Sequence, residues 1–189
     1  MNSEIDNPLR LHIGGEEVKP GWKILNIVPG ENVDFVGDCS DLSQFADSSV
    51  TEVYASHVLE HLGYEKALPN ALAELFRVLK PKGKISISVP DLDMLCRLFV
   101  DSDLPQELTL TNGSSQNVRF HIMRIMFGGR TNPYDVHYVG LTKEFLTAYL
   151  LQAGFVNINR VEELNIFEDC SSDKLFGNLI SLNMTAQKS

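Results

Sequence analysis

His57, Glu60 and His61 stand in the stretch ASHVLEHL (55–62) and spell H-x-x-E-H. On a helix this spacing sets two imidazoles one turn apart beside a carboxylate, the reversed zincin arrangement for Zn²⁺. Such a site also needs a third ligand from elsewhere in the chain. Because the apolar run Thr51 to Ala55 feeds almost directly into His57, that residue falls at a strand-to-helix junction. A zinc hydrolase using His57, Glu60 and His61 is therefore the lesser alternative, and no resident metal is expected. The plain structural reading makes His57 a polar loop residue and His61 a helix cap. His137, in NPYDVHYVG, carries another imidazole suited to proton removal near neutrality. Asp91, which opens DLDML, is either a carboxylate facing an acceptor pocket or the N-cap of the helix behind it.

The elements that must position these groups follow from periodicity. Apolar runs at Leu9–Ile13, Ile24–Val28, Val33–Val36 and Thr51–Ala55 read as short strands. The link after the first, carrying Gly14-Gly15 and Pro20-Gly21, leaves no room for a helix, and the link after the second is too short for one. Between Glu65 and Lys80, apolar residues recur at Leu68, Ala71, Leu72, Leu75, Phe76 and Leu79, the spacing of an amphipathic helix. Pro81-Lys82-Gly83 ends it. Lys84 to Val89 is the next strand, with Ser86 and Ser88 small enough to lie under a packed helix. Helices are predicted from Asp91 to Val100, from Val118 to Phe127, and from the N-cap Thr142 to Gln152, the last with Phe145, Leu146, Tyr149 and Leu150 inward. Two late strands, about Phe155–Val161 and Leu175–Met184, complete the chain. Strands alternating with helices predict a doubly wound, mainly parallel α/β sheet with a C-terminal antiparallel hairpin. Ligands of such sheets bind beyond the carboxyl ends of the strands. One domain spans 1–189, with an irregular acceptor-side region at about 101–140 that holds Arg124, Arg130, Asp135 and Tyr138.

Composition narrows the function. The net charge of −9, with no basic run to offset it, disfavours nucleic acid as a partner. No apolar run is long enough to span a membrane. MNSEIDNPLR lacks a basic head and apolar block, so a cytoplasmic location is expected. Cys39, Cys96 and Cys170 form no C-x-x-C pair, which argues against a disulfide framework or a cysteine zinc site.

The order SVTEVYASHVLEHL, then ALAELFRVLKPKGKISISVPD, resembles the fourth strand, helix and fifth strand of class I S-adenosylmethionine-dependent methyltransferases. LHIGGE with Gly21-Trp22, FGGRTNPYDVHYVGL and FGNLISLNMTA extend the resemblance, to a subgroup with a compacted first half, over nearly the whole chain. It implies S-adenosylmethionine as cofactor, held by Gly14 and Gly15 at the first turn, Asn26 at the ribose, Asp38 near the adenine, and Ser56 and His57 near the methionine part. It also implies methyl transfer to a small-molecule or saccharide-type acceptor, with His57, His137 or Asp91 as the catalytic group. Glu16 replaces the second glycine of the family's G-x-G, and Asn26 its ribose-binding acid. The alternative they open is a non-catalytic member of the fold with a degenerate cofactor site. The missing helices leave sheet surface for a partner, so a homodimer with Trp22 as contact is expected, packing under a loop being the other reading of that residue.

Overall fold

The computed structural model describes residues 8–189. The leaderless reading of MNSEIDNPLR rests mostly on residues 1–7 and lies outside the described residues. Strands β1 (Leu9–Ile13), β2 (Trp22–Asn26), β3 (Phe35–Val36) and β4 (Val50–Ser56) precede helix α1 (Ala67–Val78) and strand β5 (Leu79–Pro90). Helix α2 (Leu92–Val100), the hairpin β6 (Glu107–Thr109) and β7 (Ser115–Asn117), and helix α3 (Val118–Phe127) come next. Helix α4 (Lys143–Ala153), strand β8 (Phe155–Val161), the small hairpin β9 (Lys174–Leu175) and β10 (Asn178–Leu179), and strand β11 (Ser181–Lys188) follow. Seven strands pair in the order β3-β2-β1-β4-β5-β11-β8, parallel except for β11, which runs antiparallel between β5 and β8. This is the predicted architecture, with the late hairpin placing β11 inside the sheet and β8 at its edge.

The register divides the sheet into two unlike faces. Leu11, Ile13, Val53, Ala55, Ile85, Ile87, Leu182 and Met184 share one face and pack beneath α1 and α4, through Leu68, Leu72, Leu75, Leu146 and Leu150. The other face is polar across its middle: His12, Tyr54, Ser86 and Thr185 lie in one row, Ser56, Ser88 and Asn183 in the next. Residues 162–173 run across part of it as an irregular strap. Phe167 stacks on His12, with ring centroids 3.9 Å apart, and meets Tyr54 and Trp22 at 4.9 and 5.3 Å. Irregular backbone leaves N–H and C=O groups that must find partners, and the polar face supplies them. Asn183 Nδ2 donates to Glu162 O and Ser171 O, both at 2.9 Å. Tyr54 Oη donates to Asp169 Oδ2 at 2.8 Å.

The strap corrects several expectations. Trp22 is 7% exposed beneath Phe167, so it packs under a loop and offers no contact to a partner. The second late strand does not run unbroken from Leu175 to Met184; a tight turn with Phe176 and Gly177 at positive φ interrupts it. Phe145 is 55% exposed on α4, where Leu146 and Leu150 make the buried face. Among the described residues no helix is long and apolar enough to cross a membrane.

Candidate active site

The parallel strands bring the expected cofactor residues to one edge of the sheet. At the end of β1, Gly14 has φ +71°, the left-handed conformation that favours glycine, and its N–H donates to Leu25 O at 2.8 Å. The space a side chain would fill is already taken by the protein. A Cβ on Gly14 would lie 2.6 Å from Val58 Cγ2, and one on Gly15 2.3 Å from His12 Nδ1. Asn26, at the end of β2, spends its amide on the turn: Nδ2 donates to Gly15 O at 3.3 Å, and Oδ1 accepts from Val28 N–H at 3.0 Å. Asp38, just past β3, is exposed and accepts from Ser40 N–H through Oδ1 at 2.8 Å. Glu16 is exposed, so its charge points to solvent rather than into the core. These groups supply part of what S-adenosylmethionine asks for, a backbone turn at the tip of β1 and an exposed carboxylate past the tip of β3. Asp38 is the carboxylate of the group, and Asn26 sets the turn.

Beyond β4 and β5 lies a cavity of about 350 Å³, walled by His57, His121, Arg124, Asp135, His137 and Ser181 among others. That volume suits a small molecule. His57 sits at the strand end with φ +53°, its N–H bonded to Ser88 O at 2.8 Å. Its Nε2 lies 3.1 Å from Ser181 Oγ, whose own proton goes to Cys170 O at 2.8 Å, so Nε2 must donate. Its Nδ1 lies 3.3 Å from Glu60 Oε1, an ion-pair contact too poorly aligned for a hydrogen bond. A proton on both nitrogens satisfies both contacts. Burial opposes that charge, yet the neighbouring Glu60 carboxylate outweighs it and holds the His57 pKa above the ordinary histidine value. With Nε2 committed as a donor to Ser181 Oγ, that nitrogen offers the cavity no lone pair. His137 differs. Burial lowers its pKa despite the opposing pull of Glu60, so it is neutral at neutral pH, and its Nδ1 is buried without a hydrogen-bond partner.

Asp91 is corrected to a structural residue. One oxygen caps α2 by accepting from Met94 N–H at 3.2 Å, and the other meets Arg160 Nη2 at 2.7 Å. It does not line the cavity. Asp135 does, but its oxygens bind Gly129 N–H, Thr131 N–H and the Thr131 hydroxyl, closing the Gly129–Asp135 turn. Arg130 and Tyr138 are exposed and stand outside the wall, whereas Arg124 stands in it. Ser56 lies under the strap with its hydroxyl buried, on the same sheet face as Tyr54. The strap end at Cys170 and Asp173 and the start of β11 at Ser181 complete the cavity. Nothing in the sequence signals that, because the walls meet only through the strap's crossing.

Residues 23–87, about a third of the chain, match the family model described as a methyltransferase domain. Among curated proteins none matches the chain in sequence. Among solved structures, the CurJ carbon methyltransferase superposes with a TM-score of 0.55 at 14% identity, over 96% of this chain and 48% of that one. The Burkholderia thailandensis 1,6-didemethyltoxoflavin-N1-methyltransferase, with 1,6-didemethyltoxoflavin and S-adenosylhomocysteine bound, gives 0.54 at 20% identity, over 96% and 72%. A Methanosarcina mazei S-adenosylmethionine-dependent methyltransferase gives 0.52 at 17% identity, over 95% and 92%. The chain spans about half the length of the CurJ enzyme. At these identities the structures establish the fold, and the strand order agrees with it.

Proposed function

We propose that this chain, a class I S-adenosylmethionine-dependent methyltransferase by its fold and its matched segment, methylates a small polar or anionic molecule held in the cavity beyond β4 and β5. The observation that carries this reading is the adjacency of the cavity to the strand ends that fit the cofactor, with His57 as part of the wall. The cofactor, when bound, supplies a methyl group on a sulfonium, which leaves by in-line displacement. For such a displacement, alignment of the acceptor provides much of the acceleration. The Arg124 guanidinium attracts a carboxylate or phosphate and donates to a sugar-like hydroxyl, and the walls limit the size of the acceptor. Where the acceptor is a hydroxyl, we assign proton removal in the metal-free chain to His137. The toxoflavin-precursor enzyme offers a precedent for a small acceptor on this fold.

The test is transfer of labelled methyl from S-adenosylmethionine to a panel of small hydroxylated acids and sugar phosphates. His137→Gln is expected to lower kcat with little change in KM, and Arg124→Ala to raise KM. Transfer to none of the panel, with cofactor bound, counts against this acceptor class. A second reading, a non-catalytic member of the fold, is favoured by the filled space at Gly14 and Gly15 and the spent amide of Asn26. It predicts that the cofactor does not bind at all. Cytoplasmic location and a homodimer belong to the same proposal. Light scattering on the eluting protein checks the dimer.

A further inference from the structure

We propose that Glu60, His61 and His137 form a binding site for one divalent ion of the zinc class, at the back of the cavity wall. One ligand atom from each lies within 4.8 Å of the other two. Glu60 is 1% exposed, and neither of its carboxylate oxygens accepts a hydrogen bond. A carboxylate so deeply buried calls for a counter-charge or a metal. His57 approaches it from one side, but the contact is poorly aligned and leaves the second oxygen without a partner.

The two imidazoles are prepared in the way metal ligands usually are. His61 Nδ1 lies 3.1 Å from Val136 O, and a carbonyl can only accept, so Nδ1 carries the proton and Nε2 keeps its lone pair. The His61 and His137 rings sit edge to face, with centroids 4.8 Å apart. His137 Nδ1 is buried and without a partner. Backbone bonds from Tyr138 N–H and Val139 N–H to Glu60 O, at 2.8 and 3.4 Å, hold the loop of His137 against the turn of Glu60 and His61. One carboxylate and two imidazoles make a donor set that zinc accepts, with bonds of about 2.0–2.2 Å.

The motif in ASHVLEHL therefore points to a metal for a different reason than its spacing suggests. His57 donates to Ser181 and stays outside the ligand set, and the missing ligand is His137, far along the chain. Glu60 becomes a ligand, so it is not the free base that a reversed zincin hydrolase requires. A bound ion also takes up the His137 lone pair, so loaded and metal-free chains differ at that nitrogen.

The test uses the full chain, stripped with a chelator and titrated with Zn²⁺ alone, then with Co²⁺. The expected result is one ion per chain, with the intense visible bands of four-coordinate cobalt. Glu60→Gln and His137→Gln should each weaken binding by about tenfold or more, the size of effect seen when a ligand environment is disrupted. Near-UV circular dichroism shows which variants keep the fold, and His61→Ala stands in where one does not. Cys170→Ala should leave binding unchanged. A wild-type chain that takes up no stoichiometric ion, or uptake that survives the Glu60 and His137 changes or is lost with Cys170→Ala, overturns the site.

Discussion

His12 shows how a single side chain reports on the strap. It is 5% exposed against Phe167, and burial, outweighing the nearby Asp169 and Glu17, lowers its pKa from 6.5 to about 4. The unfolded chain therefore takes up a proton in a range where the folded one does not. The stability from a neutral His12 is fully present above about pH 6.5 and is lost as the pH falls towards 4, a swing on the order of 3 kcal/mol. His12→Phe should flatten that part of the stability–pH curve, as read by urea unfolding at several pH values. At the cofactor edge, Asp38→Asn should weaken S-adenosylhomocysteine binding by about tenfold, the equivalent of one good charged hydrogen bond. Much of this scale was legible in the sequence. The cap at Asp91, the turn at Gly14 and the strand-end placement of His57 all follow from local chemistry. The donor role of His57 Nε2 was not, because it depends on Ser181, more than a hundred residues away, whose hydroxyl donates to Cys170 O.

Elements succeed or fail by what covers them. Helix α1 spans nearly the predicted range because its apolar stripe and proline stop are local signals. Residues 37–49 contain no helix, and α1 itself holds them down. Arg77 donates to Glu74, Asp47, Phe45 O and Leu42 O, while Glu74 accepts from Leu42 N–H. Arg77→Ala should cost about 2 kcal/mol, since partly buried carbonyls lose their donor. Phe167→Ala should cost about 3 kcal/mol by opening the aromatic cluster of His12, Trp22 and Tyr54. Denaturant midpoints measure both. The strap escaped sequence reading because Leu164, Ile166 and Phe167 follow neither a helical nor a strand period, and their partners lie on strands far away in the chain. The serines of β5 suggested a helix overhead; a polar row beneath irregular backbone is the physical alternative.

At the scale of the molecule, the order β3-β2-β1-β4-β5-β11-β8 gathers the residues expected at the cofactor along the carboxyl ends of the strands and places the cavity beside them. Alternation of strands and helices made the parallel sheet and its late antiparallel hairpin legible, whereas the order of strands within the sheet was not read. How so short a first half is completed was not legible, since the strap comes from the other end of the chain. The central claim is that this edge binds S-adenosylmethionine although Gly14 and Gly15 are packed by the protein's own side chains. Calorimetric titration of the full chain with S-adenosylhomocysteine tests it most directly: saturable binding of one molecule per chain in the micromolar range is the predicted result, and no heat of binding up to millimolar ligand would contradict it.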